Sequence, residues 1–137
     1  MRKPPYCLNC DDGTLLLHGA RNVTETIEGM RTTVRGLRGW HCPVCGELEF
    51  DRGTGDAERF SAALTALRAK VTARRAAELR AIRKKLGLKQ AEAGRIFGGG
   101  VNAFSEYERG KTQPHKSTML LFRLLDKHPD LLAELQP

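Results

Sequence analysis

At 137 residues the chain can build one ordinary domain or two small ones. It is 40% hydrophobic and 28% charged, which suits a folded chain in water, and no apolar run approaches the length that crosses a bilayer. The seven Lys+Arg and seven Asp+Glu of residues 1–55 cancel, so the whole net charge of +7 falls in residues 56–137. Such asymmetry predicts a basic half that meets a polyanion and a neutral half with another task.

The opening MRKPPYCLNC lacks the apolar core of a signal peptide. The expected compartment is therefore the cytoplasm, where cysteines serve as metal ligands more often than as disulfides. All four cysteines lie in the first 45 residues, as Cys7-x-x-Cys10 and Cys42-x-x-Cys45. A CxxC turn lets two thiolates grip one face of a tetrahedral ion, and a second such turn closes the shell. With no ligand position left open, the expected site is structural and holds one zinc ion per chain. Iron in a rubredoxin-like site and a redox CxxC are the other readings, and the redox one lacks the βαβ pattern that accompanies it. Gly46, just after the last ligand, supplies the permissive backbone such a turn needs.

Between the knuckles, Thr14–His18, Val23–Glu28 and Thr32–Arg38 read as short antiparallel strands, punctuated by Gly19 and Gly29-Met30. So small a sheet cannot hold itself, and structural zinc contributes about 10–16 kcal/mol in small peptides. His18 and His41 are expected as surface or packing residues, since four cysteines already complete the shell. Trp40 is expected in the core.

From Asp56 the pattern turns helical. Phe60, Leu64, Leu67 and Val71 share one helical face, predicted to pack on the metal module. A basic run follows (Arg68, Lys70, Arg74, Arg75, Arg80, Arg83, Lys84, Lys85), with a join between domains expected near residues 72–77. Arg68, Arg74 and Arg75 are candidate phosphate contacts.

Residues 86–114, LGLKQAEAGRIFGGGVNAFSEYERGKTQP, predict a helix-turn-helix. Lys89-Gln90 opens its first helix and Gly98-Gly99-Gly100 breaks it. The second helix, about Asn102 to Arg109, turns Phe104 and Tyr107 inward. Asn102, Ser105, Glu106 and Arg109 face outward, where a recognition helix meets base edges. Lys89, Gln90 and these four are the candidate DNA contacts of the motif; a plain helical hairpin is the bland alternative. Asn102 either pairs with adenine or caps the helix. Glu106 either accepts from cytosine N4 or orients a nearby basic side chain, with Arg109 the first candidate, and repels phosphates where unpaired. Ser117 is placed to cap a helix over residues 118–127, and Pro129 to start a last one. That penultimate helix is apolar over too much of its circumference for one buried stripe, so Leu120, Leu121, Phe122, Leu124 and Leu125 are the expected homodimer interface. The fold class is thus α+β in two domains. Residues 1–72 form a small zinc-bound antiparallel sheet with a helix, and residues 73–137 an all-α helix-turn-helix domain, of about five helices.

These residues resemble the MqsA (YgiT-type) family of antitoxins, through CxxC…CxxC, RKKLGLKQ, FGGGVNAFSEYERG, QPH and LLDKHP across essentially the whole chain. The resemblance implies a zinc domain that neutralises an MqsR-like ribonuclease toxin. It also implies a dimeric helix-turn-helix domain that represses its own operon by binding palindromic promoter DNA. By position, Asn102 falls on a base-contacting asparagine, whereas Glu106 stands where related sequences carry arginine. The resemblance implies no enzymatic activity, and the residues show neither an open metal site nor a P-loop. A stand-alone zinc-stabilised transcriptional regulator without a toxin is the competing reading.

Overall fold

The computed structural model describes residues 4–136. Two compact units make up the chain, Met1–Arg68 and Ala69–Pro137. In the first, strands β1 (Leu17–Ile27), β2 (Met30–His41) and β3 (Leu48–Phe50) form one antiparallel sheet in that order. Glu28 and Gly29, both at positive φ (49° and 78°), make the two-residue turn from β1 to β2.

The strand boundaries differ from those the sequence suggests. Residues 14–16 stay outside β1, and Leu15 pairs instead with Tyr6. Gly19 does not interrupt β1 but lies opposite Gly39 in the ladder. The irregularity comes further on, where the register shifts between Arg21 and Val23 and β2 carries one residue more than β1. Gly36 sits at this bulge with φ 68°, and its N–H donates to Asn22 Oδ1 at 3.0 Å. The extra residue lets Val34 and Leu37, three apart, both turn inward, which a strict two-residue period forbids.

Helix α1 (Asp56–Lys85) contains neither glycine nor proline, and nothing stops it at the expected join near residues 72–77. Its buried apolar positions Leu67, Val71, Leu79 and Ile82 keep to helical spacing straight through that stretch. Gly87, at φ 72°, provides the left-handed stop. At the other end Asp56 ties helix to sheet within the first unit. Its carboxylate accepts from the Arg38 N–H at 2.9 Å and from Arg59 Nε and Nη2 at 3.1 and 2.9 Å. Arg59 Nη2 also donates to the Arg35 carbonyl. Phe60 packs on Phe50 of β3, ring centroids 5.6 Å apart.

The second unit adds α2 (Gln90–Phe97), α3 (Ala103–Glu108), α4 (Lys116–Lys127) and a 3-10 helix over Pro129–Leu135. Together with α1 these make the five or so helices the sequence predicts. Leu79, Ile82, Leu88, Ala93, Ala103, Phe104, Met119 and Phe122 form its core. The rings of Phe97, Phe104 and Phe122 meet at centroid distances of 4.6–6.1 Å. The α2–α3 turn runs through three glycines at positive φ, and Gly94 of α2 lies so close that a Cβ there would run into the Gly100 carbonyl. That close approach sets how sharply the helix pair folds back. Ser117 is not the cap of α4; the helix opens at Lys116 behind His115, with no side-chain cap.

Asp56 generates a pH expectation. The Arg38 N–H, and then Arg59, hold its carboxyl below the ordinary value of 3.8. A carboxyl depressed on folding stabilises the fold above its unfolded pKa and loses that contribution as pH falls through the folded one. Asp56→Asn is therefore expected to destabilise the first unit near neutral pH, where the ionised carboxylate holds the Arg38 N–H and Arg59. The deficit against wild type should shrink below about pH 4, as followed by urea denaturation across pH.

Candidate metal centre and nucleic-acid interface

The two CxxC segments fold alike. The Asp11 N–H donates to the Cys7 carbonyl and the Gly46 N–H to the Cys42 carbonyl, both at 3.1 Å. Asp11 and Gly46 both take positive φ, 49° and 79°, so the backbone foreseen at Gly46 recurs at a residue with a side chain. Each turn aims backbone N–H groups at sulfur: Cys10 N at Cys7 Sγ (3.5 Å), Val44 and Cys45 N at Cys42 Sγ (3.4 and 3.5 Å). The four Sγ atoms all lie within 4.8 Å of one another, with Cys7–Cys45 at 3.5 Å and Cys10–Cys42 at 3.7 Å. Sulfurs about 2.3 Å from a common tetrahedral centre stand about 3.8 Å apart. The donor set thus fits a closed, structural, thiolate-preferring metal site.

Electrostatics agrees. The Cys45 thiol is drawn down to about 6, first by the Asn9 side chain and then by the Glu47 N–H. Cys42 is lowered too, chiefly by the Cys45 N–H. Cys10 is pushed up, first by its hydrogen bond with Cys45 and then by burial. For Cys7 the Cys10 N–H pulls down, but burial and the neighbouring sulfurs outweigh it. The four sulfurs thus pull one another's ionisation in opposite directions, and a bound dication favours the ionised form of all four.

The nearby histidines do not join the cluster of four sulfurs. His18 Nε2 bonds Asp51 at 2.8 Å, and its ring packs on Trp40 at 4.9 Å. His41 is buried with neither ring nitrogen hydrogen-bonded among the described residues, and burial, then Arg21, lowers its pKa. Trp40 is half-buried and packs against the small core cluster of Cys7, Leu16 and Cys42.

In the second unit, Asn102 is exposed immediately before α3, and its side chain makes no capping bond. Ser105 and Glu106 are half-buried and Arg109 exposed. Glu106 does not orient Arg109: its Oε2 accepts from Thr112 Oγ1 at 3.5 Å, while Arg109 Nε donates to the Ser105 carbonyl at 3.2 Å. Lys89 is exposed ahead of α2, its N–H donating to Glu92 Oε2. Gln90 is half-buried, and its Nε2 donates to Glu108 Oε2 at 2.8 Å.

Glu108 is the residue sequence reasoning missed. It pairs with Arg83 at 2.7 Å, the two side chains only 4% and 10% exposed, and Arg83 Nη1 donates to the Leu88 carbonyl at 2.7 Å. The pair fastens α3 to the end of α1 and the start of α2. It spans 25 residues of sequence, beyond any local pattern. Arg83 therefore leaves the exposed basic run. Lys85 stays exposed, but its ammonium is paired with Asp126 at 2.9 Å. Arg74 and Arg75 have partners within the protein, and Arg68 is exposed at the end of the first unit.

The expected dimer face also needs correction. Phe122 and Leu125 are 0% and 1% exposed inside their own unit, so they are not free to line an interface. Leu120 and Leu124, at 51% and 48%, are exposed, and Leu121 is half-buried.

A family model described as the antitoxin component of a bacterial toxin–antitoxin system, MqsA, matches residues 5–136. Antitoxin MqsA of Escherichia coli (strain K12) is 44% identical over 132 residues, covering 95% of this chain and 98% of that protein.

The metal centre is checked by removal. One metal ion per chain is the expected elemental analysis. Cys42→Ser should release it and unfold the sheet while the helical signal of the second unit persists. A metal-free protein with an intact sheet contradicts the assignment.

Proposed function

The chain belongs to the MqsA family of antitoxins from bacterial toxin–antitoxin systems, and from that premise we propose how it divides its work. Residues 1–72, holding one structural zinc ion through Cys7, Cys10, Cys42 and Cys45, capture and neutralise an MqsR-like ribonuclease toxin. Residues 73–137 dimerise through the exposed leucines of α4, Leu120 and Leu124, with Leu121 beside them. As a dimer they bind palindromic promoter DNA and repress the operon in the cytoplasm. The family is not enzymatic, and a closed four-thiolate shell suits scaffolding rather than catalysis.

The observation that carries the DNA reading is Asn102. An exposed amide that caps nothing, at the N-terminal end of a short helix behind a glycine turn, is free to pair bidentately with adenine N6 and N7. Ser105, Glu106 and Arg109 follow along that helix, and Lys89, with Gln90, stands at the entry of α2. Glu106, tethered to Thr112, presents a carboxylate that accepts from cytosine N4 and repels phosphate, so its operator differs from that of arginine-bearing relatives.

Two experiments test the proposal. Co-expression of the full chain with the toxin gene beside it is expected to restore growth that the toxin alone arrests; continued arrest with folded antitoxin present sinks the neutralising role. Asn102→Ala is expected to weaken operator binding by about 1–3 kcal/mol per half-site, relax preference for one adenine, and leave the melting temperature unchanged. A uniform loss across all sequences would assign Asn102 to phosphate positioning instead.

A further inference from the structure

A groove of about 860 Å³ runs along the second unit between the C-terminal half of α1 and the loop that leaves α3. Between its cations, the α1 wall is built of small side chains: Ala69, Ala73, Ala76, Ala77 and Ala81, with Thr72 among them. Its charge is one-sided. Arg80 and Lys84, one turn apart on α1, line it together with Arg109 from the end of α3. The single carboxylate in the lining, Glu108, is already neutralised by the buried Arg83. Arg80 and Lys84 are exposed, and neither side chain has a partner among the described residues. Arg109 gives only its Nε to the Ser105 carbonyl, which leaves both terminal nitrogens of the guanidinium for another acceptor.

Three cations without a carboxylate partner, beside a wall of small side chains, match a chain of anions that must come close to the backbone. We propose that this groove seats the sugar–phosphate backbone of double-stranded DNA, with Arg80, Lys84 and Arg109 pairing with successive phosphates and the alanine wall permitting the approach. The inference rests on the DNA-binding reading above and deepens it by naming where the duplex backbone lies. Arg109 joins the two surfaces, because it ends the helix that begins at Asn102. A strand bordering the major groove thus passes from the recognition helix into this channel. Such contacts carry no sequence information; they hold register while α3 reads bases.

The test uses the full chain and two duplexes of equal length, one from its own promoter and one scrambled, titrated across salt. Arg80→Ala with Lys84→Ala keeps good helix formers at exposed positions, and an unchanged melting curve confirms folding. The double variant should weaken both duplexes by the same factor and make the salt slope shallower by about 1.8, roughly 0.9 for each phosphate left without its cation. Ala77→Leu, which thickens the α1 wall without touching charge, should weaken both duplexes at every salt concentration. If wild type binds its promoter steeply with salt while these variants behave identically to it, the groove assignment is overturned and the DNA reading stands. If wild type binds neither duplex, the DNA reading itself has failed. If the double variant keeps its salt slope but loses the toxin, the groove holds an acidic protein surface and the assignment is again overturned.

Discussion

Four sulfurs within 4.8 Å of one another are an electrostatic problem before they are a site. Ionising all of them together without a cation is unfavourable, and leaving them protonated wastes the N–H groups aimed at them. The rest of the first unit depends on the resolution. Around the cysteines its buried cluster contains little besides Leu16, with Cys10 and Trp40 packed against it. The long β1–β2 hairpin extends well beyond the three-residue β3. A small core and a long two-stranded ribbon are marginal on their own, and a metal that binds only the folded ligand set adds its binding free energy to folding. The matched turns at Asp11 and Gly46 are the local backbone cost of that solution.

The second unit solves the same problem by other means. Its core is a stack of phenylalanines enclosed by Leu79, Ile82, Leu88 and Met119, and its deeply buried Arg83–Glu108 ion pair is fully engaged. Arg83 and Glu108 satisfy each other, the Leu88 carbonyl and Gln90 together, which is the condition under which burying charge is tolerable. Removing either partner would strand the other in a region of low polarity. The arrangement also fixes α3 against α1 and α2 at once, so the outward edge of α3 inherits its position from residues that face inward.

Features that depend on local chemistry were legible in the sequence. The CxxC pairs, the glycine turn, the inward Phe104 and Tyr107, and the start of α1 at Asp56 each follow from residue type and spacing over a few positions. What escaped depends on pairing across distance. β3 is too short to show alternation, and Gly19 looked like a break because its partner Gly39 is twenty residues away. The Arg83–Glu108 pair buries one cation of a run that reads as one exposed stripe, and Asp126 pairs with a second, Lys85, at the surface. Likewise α4 looked apolar all round, when Phe122 and Leu125 face inward and only Leu120 and Leu124 stand out.

Helix α1 carries the consequence of having two differently stabilised units on one chain. Its first turns are held by Asp56, Arg59 and Phe60 against the sheet, and its last by Leu79, Ile82 and Arg83 in the helical core. Nothing in its sequence breaks it between. Yet a helical segment of about a dozen residues is marginal in water without packing, however high its alanine content. Loss of the metal withdraws the support for residues 56–68 alone, whereas Leu79 and Ile82 remain buried in a core that contains no cysteine. The helix should then fray from its N-terminal end toward the alanine-rich stretch and stop where the second core begins. Continuity of the helix therefore does not make the two halves stand or fall together, and the groove lined by Ala73, Ala77, Arg80 and Lys84 lies on the side of that boundary which the metal does not support.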